Sequence, residues 1–263
     1  MKSIKTLKKN KPTVIVKKAI PKKKENIKFL FEDNDIIVLS KPAGLLSLPD
    51  RYNHEEISLV KILKEKYEDI FVVHRLDKDT SGVMVFAKNA DAHKSLNDQF
   101  ESRKVTKLYH AFVAGIVEKD EITIDIPLTE DAVILGKMKP SARGKESLTI
   151  LKVIKRFRHA TLVELNLVTG RHHQIRVHCS SIGHPLLVDE MYGGASDFFL
   201  SSIKRKFHLK KHTDETPIIS RITLHAHDII FTHPVTQEEN KFTAEYPRDF
   251  AALLQVLNKY SEY

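Results

Sequence analysis

The chain has one cysteine and no tryptophan in 263 residues. A single Cys excludes an intrachain disulfide and a cysteine-rich zinc site. No apolar run approaches the roughly 18 residues that a membrane-crossing helix needs. The amino terminus is rich in lysine but lacks the apolar core and small-residue cleavage site of a secretory leader. Aromatic residues make up only 8% of the chain, which leaves little for the aromatic platforms of carbohydrate sites. These absences together describe a chain expected in a reducing compartment, the cytoplasm, with no membrane partner.

What is present is positive charge at one end. The net charge is +9, from 43 Lys and Arg against 34 Asp and Glu. Residues 1–28 hold 11 of the lysines and one acid, Glu25, so that they carry +10 and the remaining residues −1. With Pro12, Pro21 and one short apolar island, Val14-Ile15-Val16, this stretch cannot bury enough to fold alone. It reads as a flexible tail, either solvated or acting as an electrostatic arm for nucleic acid. Residues 29–263 read as one catalytic domain.

Alternation and β-branched content predict strands at Phe29–Phe31, Asp35–Ser40, Val83–Lys88, Tyr109–Val117, Glu121–Ile126, Ser147–Phe157, Thr161–Val168, Thr223–Phe231 and Lys241–Ala244. Helical spacing predicts Ser58–Tyr67, Ala90–Glu101 behind an Asn89 cap, Arg171–Ile182 and Asp249–Lys259 behind Pro247. Strands outnumber helices and several adjoin through short polar links. The class is α+β on a mixed, mainly antiparallel sheet rather than an alternating βαβ array. Ala195–Ser220 reads as an inserted loop with room for one short helix.

Two segments carry chemistry. In His74-Arg75-Leu76-Asp77-Lys78-Asp79-Thr80-Ser81-Gly82, Arg75 and Asp77 share a face of an extended chain. The Thr80-Ser81-Gly82 hydroxyls and N–H groups are placed to fix an adjacent carboxylate. A carboxylate beside a cation stays ionised near neutral pH, as a nucleophilic Asp requires. In Thr169-Gly170-Arg171-His172-His173-Gln174-Ile175-Arg176-Val177-His178, most side chains are polar donors suited to phosphates and base edges. If a helix starts there, Arg171 and the free N–H groups of its first turn form an anion site. A third segment, Lys107-Leu108-Tyr109, puts Lys107 and Tyr109 on one strand face, where a Tyr ordinarily packs.

Two other chemistries fit less well. Asp77 and Asp79 are paired carboxylates, but at i, i+2 on a strand they lie roughly 7 Å apart, within inverting but not retaining glycosidase geometry. The chain has 14 His, yet His172, His173 and His178 have no ligand-spaced carboxylate nearby in sequence. His208 and His212 have Leu209 in place of a catalytic Glu and two lysines between them. No metal is expected.

Taken together, and in this order, the motifs resemble the RluA family of pseudouridine synthases. They are Lys41-Pro42-Ala43-Gly44, His74-Arg75-Leu76-Asp77 with Thr80-Ser81-Gly82, Lys107 and Tyr109, and Gly144-Lys145 with Thr149. They continue with Gly170-Arg171, His173 to His178, Asp189 with Tyr192-Gly193, Leu224-His225-Ala226 and His233-Pro234. The resemblance implies a curved sheet with a central RNA-binding cleft, and isomerisation of a uridine in RNA to pseudouridine without metal or cofactor. It makes Asp77 the nucleophile, Tyr109 the residue that stacks on the base and assists proton removal, and Arg176 the ion-pair partner of Asp77. Arg75 enters the RNA stack, Arg171 and His173 contact RNA, and Leu224 belongs to the apolar wall near the base. The implied partner is a tRNA or ribosomal RNA stem-loop, with the enzyme a monomer needing no protein partner. His172 departs from the Thr or Ser usual in the family, and residues 1–28 are too short for the S4 domain that many relatives carry. The rival reading is a non-catalytic RNA-binding protein on the same fold.

Overall fold

The structure, a computed structural model, describes residues 27–263 except 51, 52, 54 and 210–212. The Lys-rich stretch therefore lies almost wholly outside the described residues. Ten strands form one sheet, in the order β1 (Lys28–Glu32), β2 (Ile36–Lys41), β4 (Ser81–Ala87), β11 (Leu224–Thr232), β5 (Thr106–Ala114), β10 (Ala160–Leu167), β9 (Leu148–Arg156) and β6 (Glu121–Asp125). The short β3 (Phe71–Val72) pairs with β4, and β12 (Glu239–Thr243) pairs with β11. Every pairing in the sheet is antiparallel except β4 with β11. A separate hairpin joins β7 (Leu128–Glu130) to β8 (Met138–Pro140). The mixed, mainly antiparallel α+β architecture is thus the one expected.

The central strands read as continuous apolar runs because both of their faces are covered. All of β4 is buried, as is nearly all of β2. The outer strand β9 instead alternates along its first half, with one face toward solvent. Among the described residues, four α-helices flank the sheet: α1 (Leu59–Lys64), α2 (Ala90–Glu101), α3 (Gln174–Ser181) and α4 (Arg248–Tyr260). Phe112 of β5 and Phe157 join Phe250, Leu253 and Leu257 of α4 in one apolar cluster. Because successive side chains of β5 alternate, Tyr109 turns to the opposite face, in the main core.

The α2 helix has the expected bounds, and the Asn89 side chain accepts the Ala92 N–H at 2.8 Å. The α3 helix starts three residues later than expected, at Gln174, because His173 sits in the left-handed region at φ 53°. The short β7 and β8 were not expected, since three residues give no readable alternation. Among the described residues of 195–220, the chain forms one 3₁₀ turn, Leu200–Ser202. Among the described residues, no helix is long and apolar enough to cross a membrane.

The parallel β4–β11 contact depends on Gly82, which faces Ala226. Its φ is +124°, and an added Cβ would fall 2.1 Å from the Ala226 carbonyl oxygen. Gly82→Ala should therefore cost at least about 2 kcal/mol through backbone strain and collision, read as a lowered denaturation midpoint; an unchanged midpoint would contradict the register.

Candidate active site

A cleft of about 570 Å³ opens on the sheet, between the loop that follows β3 and the turn that precedes α3. All seven residues singled out in the sequence line it: Arg75, Asp77, Tyr109, Arg171, His173, Arg176 and Leu224. They arrive from four places. Arg75 and Asp77 come from the loop before β4, Tyr109 from the middle of β5, and Leu224 from the start of β11. Arg171, His173 and Arg176 come from the turn and first helical residues of α3. Asp79 is exposed and lies outside the lining, which disposes of the paired-carboxylate reading.

The loop that carries Asp77 is held from below by the Lys41–Ser47 segment. Lys41 is fully buried, and its ammonium donates to the carbonyls of Pro42 at 3.1 Å, Leu45 at 2.8 Å and Lys78 at 3.0 Å. Gly44 N–H reaches the same Lys78 carbonyl at 2.8 Å. The Ser47 hydroxyl donates to the Leu76 carbonyl at 2.6 Å and accepts the Leu76 N–H at 3.1 Å. The residues on either side of Asp77 are thereby fixed, leaving its side chain free to face the cleft. His74 serves the same frame. Its Nε2 accepts the Val85 N–H at 3.0 Å and its ring stacks on Phe100. Burial, and then the charge of Lys107, push its pKa down to about 3, so the ring is neutral.

The expected support from Thr80-Ser81-Gly82 takes another form. The Thr80 N–H bonds the backbone carbonyl of Asp77, not its carboxylate, at 3.2 Å. The Ser81 hydroxyl turns away to His225 Nδ1 at 2.9 Å. His225 Nε2 must donate to the Ala244 carbonyl, so Nδ1 is the acceptor for Ser81.

The expected ion pair of Arg176 with Asp77 is corrected by the geometry. Arg176 makes a bidentate bridge to Asp189, Nε to Oδ2 and NH2 to Oδ1, both at 2.7 Å. Both residues are buried. The guanidinium also lies 4.8 Å above the centre of the Tyr192 ring, within cation–π range. Burial lowers the Arg176 pKa, but the hydrogen bonds and charge of Asp189 more than offset it, and the charge of Asp77 adds to the upward shift. Asp77 thus feels Arg176 without pairing with it. Removing one member of such a buried pair typically costs about 3–5 kcal/mol.

Facing Asp77 is Tyr109, only 7% exposed. Burial, and then the Asp77 anion, raise its pKa well above the phenol value, so its hydroxyl keeps its proton. Lys107, on the same strand face, is pushed down by burial to about 8.

Several polar side chains before and within α3 bond the protein rather than facing a ligand. Gln174 accepts the Thr169 hydroxyl at 2.8 Å and the Arg171 N–H at 3.0 Å, and donates to the Leu148 carbonyl and Thr149 Oγ1. His178 Nε2 donates to the Ile126 carbonyl, and its Nδ1 accepts from Thr149. The predicted anion site at a helix start of Arg171 is therefore absent. Arg171 is exposed, and its Nε donates to the Glu146 carbonyl at 3.1 Å.

Asp77 has a closer neighbour than Arg176. His173 Nε2 lies 3.9 Å from Asp77 Oδ2, and His173 Nδ1 lies 2.9 Å from the Tyr192 hydroxyl. The rings of His172 and His173 are in contact at a tilt of 31°, with centroids 3.8 Å apart. The carboxylate that the sequence did not space near these histidines thus comes across the cleft from Asp77. Asp189, Tyr192, Lys41 and Ser47 are the supporting residues that sequence reasoning left without roles. The first three lie inside quoted motifs, but nothing in their spacing says what they touch.

A family profile described as RNA pseudouridylate synthase matches residues 35–181. In fold the chain is similar to human RNA pseudouridylate synthase domain containing 4, with a TM-score of 0.66 and 25% identity over 88% of this chain and 93% of that one. The fold and the cleft are those of an RNA-modifying isomerase. Among sequences, the dual-specificity RNA pseudouridine synthase RluA of Vibrio vulnificus is 41% identical over 78% of this chain and 77% of its own. The ribosomal large subunit pseudouridine synthase D of Pseudomonas aeruginosa is 36% identical over 89% and 72%. The chain belongs to the RluA family of RNA pseudouridine synthases. It is an enzyme that isomerises uridine in RNA to pseudouridine, and RNA is its partner.

Lys41→Met should test the loop support. It leaves buried carbonyls without a donor, costing about 2 kcal/mol or more. Displacing a reacting group by about 1 Å can cost 10²-fold in rate. The single-turnover rate at saturating RNA should therefore fall far more than RNA affinity; equal losses in both would point to simple unfolding.

Proposed function

We propose that the cleft takes a uridine flipped out of a tRNA or ribosomal RNA stem-loop, in the cytoplasm, with the enzyme acting as a monomer and without metal or cofactor. The observation that carries the reading is the convergence of Asp77, Tyr109, Arg176 and Leu224 on one cleft. Flipping costs a few kcal/mol of unstacking. Arg75, exposed at the rim, offsets that by entering the vacated stack, and Arg171 and His173 hold the flanking backbone. Leu224 and the ring of Tyr109 enclose the base and keep water from the glycosidic bond.

The Asp77 carboxylate attacks either the ribose C1′ or the uracil C6. Through C1′, the C1′–O bond forms as the C1′–N1 bond breaks, and the electron pair leaves with uracil. The base turns, C5 bonds C1′, and Asp77 departs as carboxylate. The C5 proton is then lost and N1 gains one, so the overall change is an isomerisation. Through C6, a reversible adduct at Asp77 would loosen the same glycosidic bond.

Tyr109 fits an ordered role in this sequence. In the free protein, burial and the Asp77 anion both hold its proton. Asp77 is again an anion when the C5 proton is lost, so the same two causes act, and Tyr109 assists that late step as a neutral hydroxyl that relays the proton.

Asp77→Asn keeps the shape of the side chain but removes the anion. It should abolish turnover while leaving RNA affinity and melting temperature close to wild type, with the wild-type rate unchanged in EDTA. Substantial pseudouridine formation by Asp77→Asn would sink the mechanism, and loss of wild-type activity in EDTA that zinc restores would make the enzyme metal-dependent.

Residues 1–28 supply sequence-independent affinity and no chemistry in this reading, since they carry +10 against −1 for the rest. Deleting residues 1–24 should reduce the slope of log K against log salt by roughly 0.7 for each phosphate of single-stranded RNA that the tail neutralises. The saturated single-turnover rate should hardly move. An unchanged salt slope rejects the electrostatic arm.

A further inference from the structure

We propose that Asp77, His172 and His173 form a binding site for a zinc ion, and that zinc and the flipped uridine exclude one another there. The site deepens the proposed function and rests on its reading of Asp77 as the nucleophile. Each of the three residues offers one ligand atom, and these atoms all lie within 4.8 Å of one another. In a tetrahedral zinc site with bonds near 2.0–2.1 Å, ligand atoms stand about 3.3 Å apart. The three donors therefore need to close by up to about 1.5 Å, within reach of side-chain rotations.

The donor set suits zinc. Two imidazoles and a carboxylate are nitrogen and oxygen ligands of the kind zinc takes, whereas magnesium prefers oxygen and water. An outer partner is already in place. The Tyr192 hydroxyl accepts the Met138 N–H at 2.8 Å and lies 2.9 Å from His173 Nδ1. Accepting an Nδ1 proton would fix the tautomer that presents Nε2 toward Asp77, the arrangement usual around zinc-bound histidines.

Two cations oppose a metal. Arg176 is held in a bidentate bridge to Asp189, although its charge still acts on His173. Arg75 is exposed, so solvent and salt screen it. Glu130 also acts favourably on the His172 position. The three protein ligands leave a coordination position open toward the cleft. With its oxygen on zinc, Asp77 lends its lone pair to the metal and cannot attack carbon. The ion is thus an inhibitor, and chelation restores the catalyst.

The test uses the full-length chain, stripped with chelator and titrated with Co²⁺ as a visible-absorbing stand-in for Zn²⁺. Wild type should develop a tetrahedral Co²⁺ absorption band that saturates at one ion per chain and is displaced by Zn²⁺. His172→Thr and Asp77→Asn should lose the band. Losing a direct ligand should weaken binding by at least the about 10–100-fold that loss of an outer-shell partner costs. In activity assays each protein is compared with its own rate in EDTA. Zinc should slow wild type, with the slowing overcome by added RNA and the His172→Thr variant resistant. Equal Co²⁺ bands in wild type and both variants, or equal zinc inhibition of wild type and His172→Thr, would overturn the site. Turnover by Asp77→Asn in EDTA would instead overturn the nucleophile assignment, and the absorption titration would still decide whether metal binds.

Discussion

The buried ammonium of Lys41, shared among the carbonyls of Pro42, Leu45 and Lys78, is the interaction on which the site depends. A charge withdrawn from water must be repaid by close polar partners, so the chain around it has little freedom. Its reward is positional. Together with Gly44 and Ser47 it fixes Leu76 and Lys78, and hence the backbone that presents Asp77. The loop then enters β4 through Gly82, whose missing side chain lets β11 approach in parallel and bring Leu224 to the cleft.

A second buried charge holds the opposite wall. Arg176 and Asp189 neutralise one another over the Tyr192 ring, and Tyr192 in turn receives the β8 backbone through Met138. Asp77 therefore sits between two rigid frames, close enough to Arg176 to feel its charge but free of a direct bridge. Asp77, the nucleophile we propose, would first have to break such a bidentate pair had it been locked in one. Here Asp189 accepts the guanidinium's hydrogen bonds, and the Asp77 carboxylate is left for chemistry.

Much of this was legible in the sequence. The long strands and α2 followed from periodicity, and motif order brought the seven cleft residues to notice. What was not legible was pairing. Arg176 sits nearer in sequence to Asp189 than to Asp77, yet only the fold decides which carboxylate meets its two nitrogens. Gln174 and His178 looked like ligand donors, but burial turned them to Thr149 and backbone carbonyls. The late start of α3 came from the left-handed His173, a conformation that residue type alone rarely announces. The hairpin of β7 and β8 was too short to show a period. The Asp77, His172 and His173 cluster joins residues remote in sequence, beyond the reach of any spacing rule.

The central claim is that Asp77 meets the reacting carbon of a flipped uridine. The most direct measurement is a crystal structure of the Asp77→Asn variant bound to a substrate stem-loop. The account predicts the uridine out of its stack, against Tyr109 and Leu224, with C1′ or C6 within about 3.5 Å of the residue 77 side chain. A uridine still stacked in its helix, or lodged away from residue 77, would contradict it.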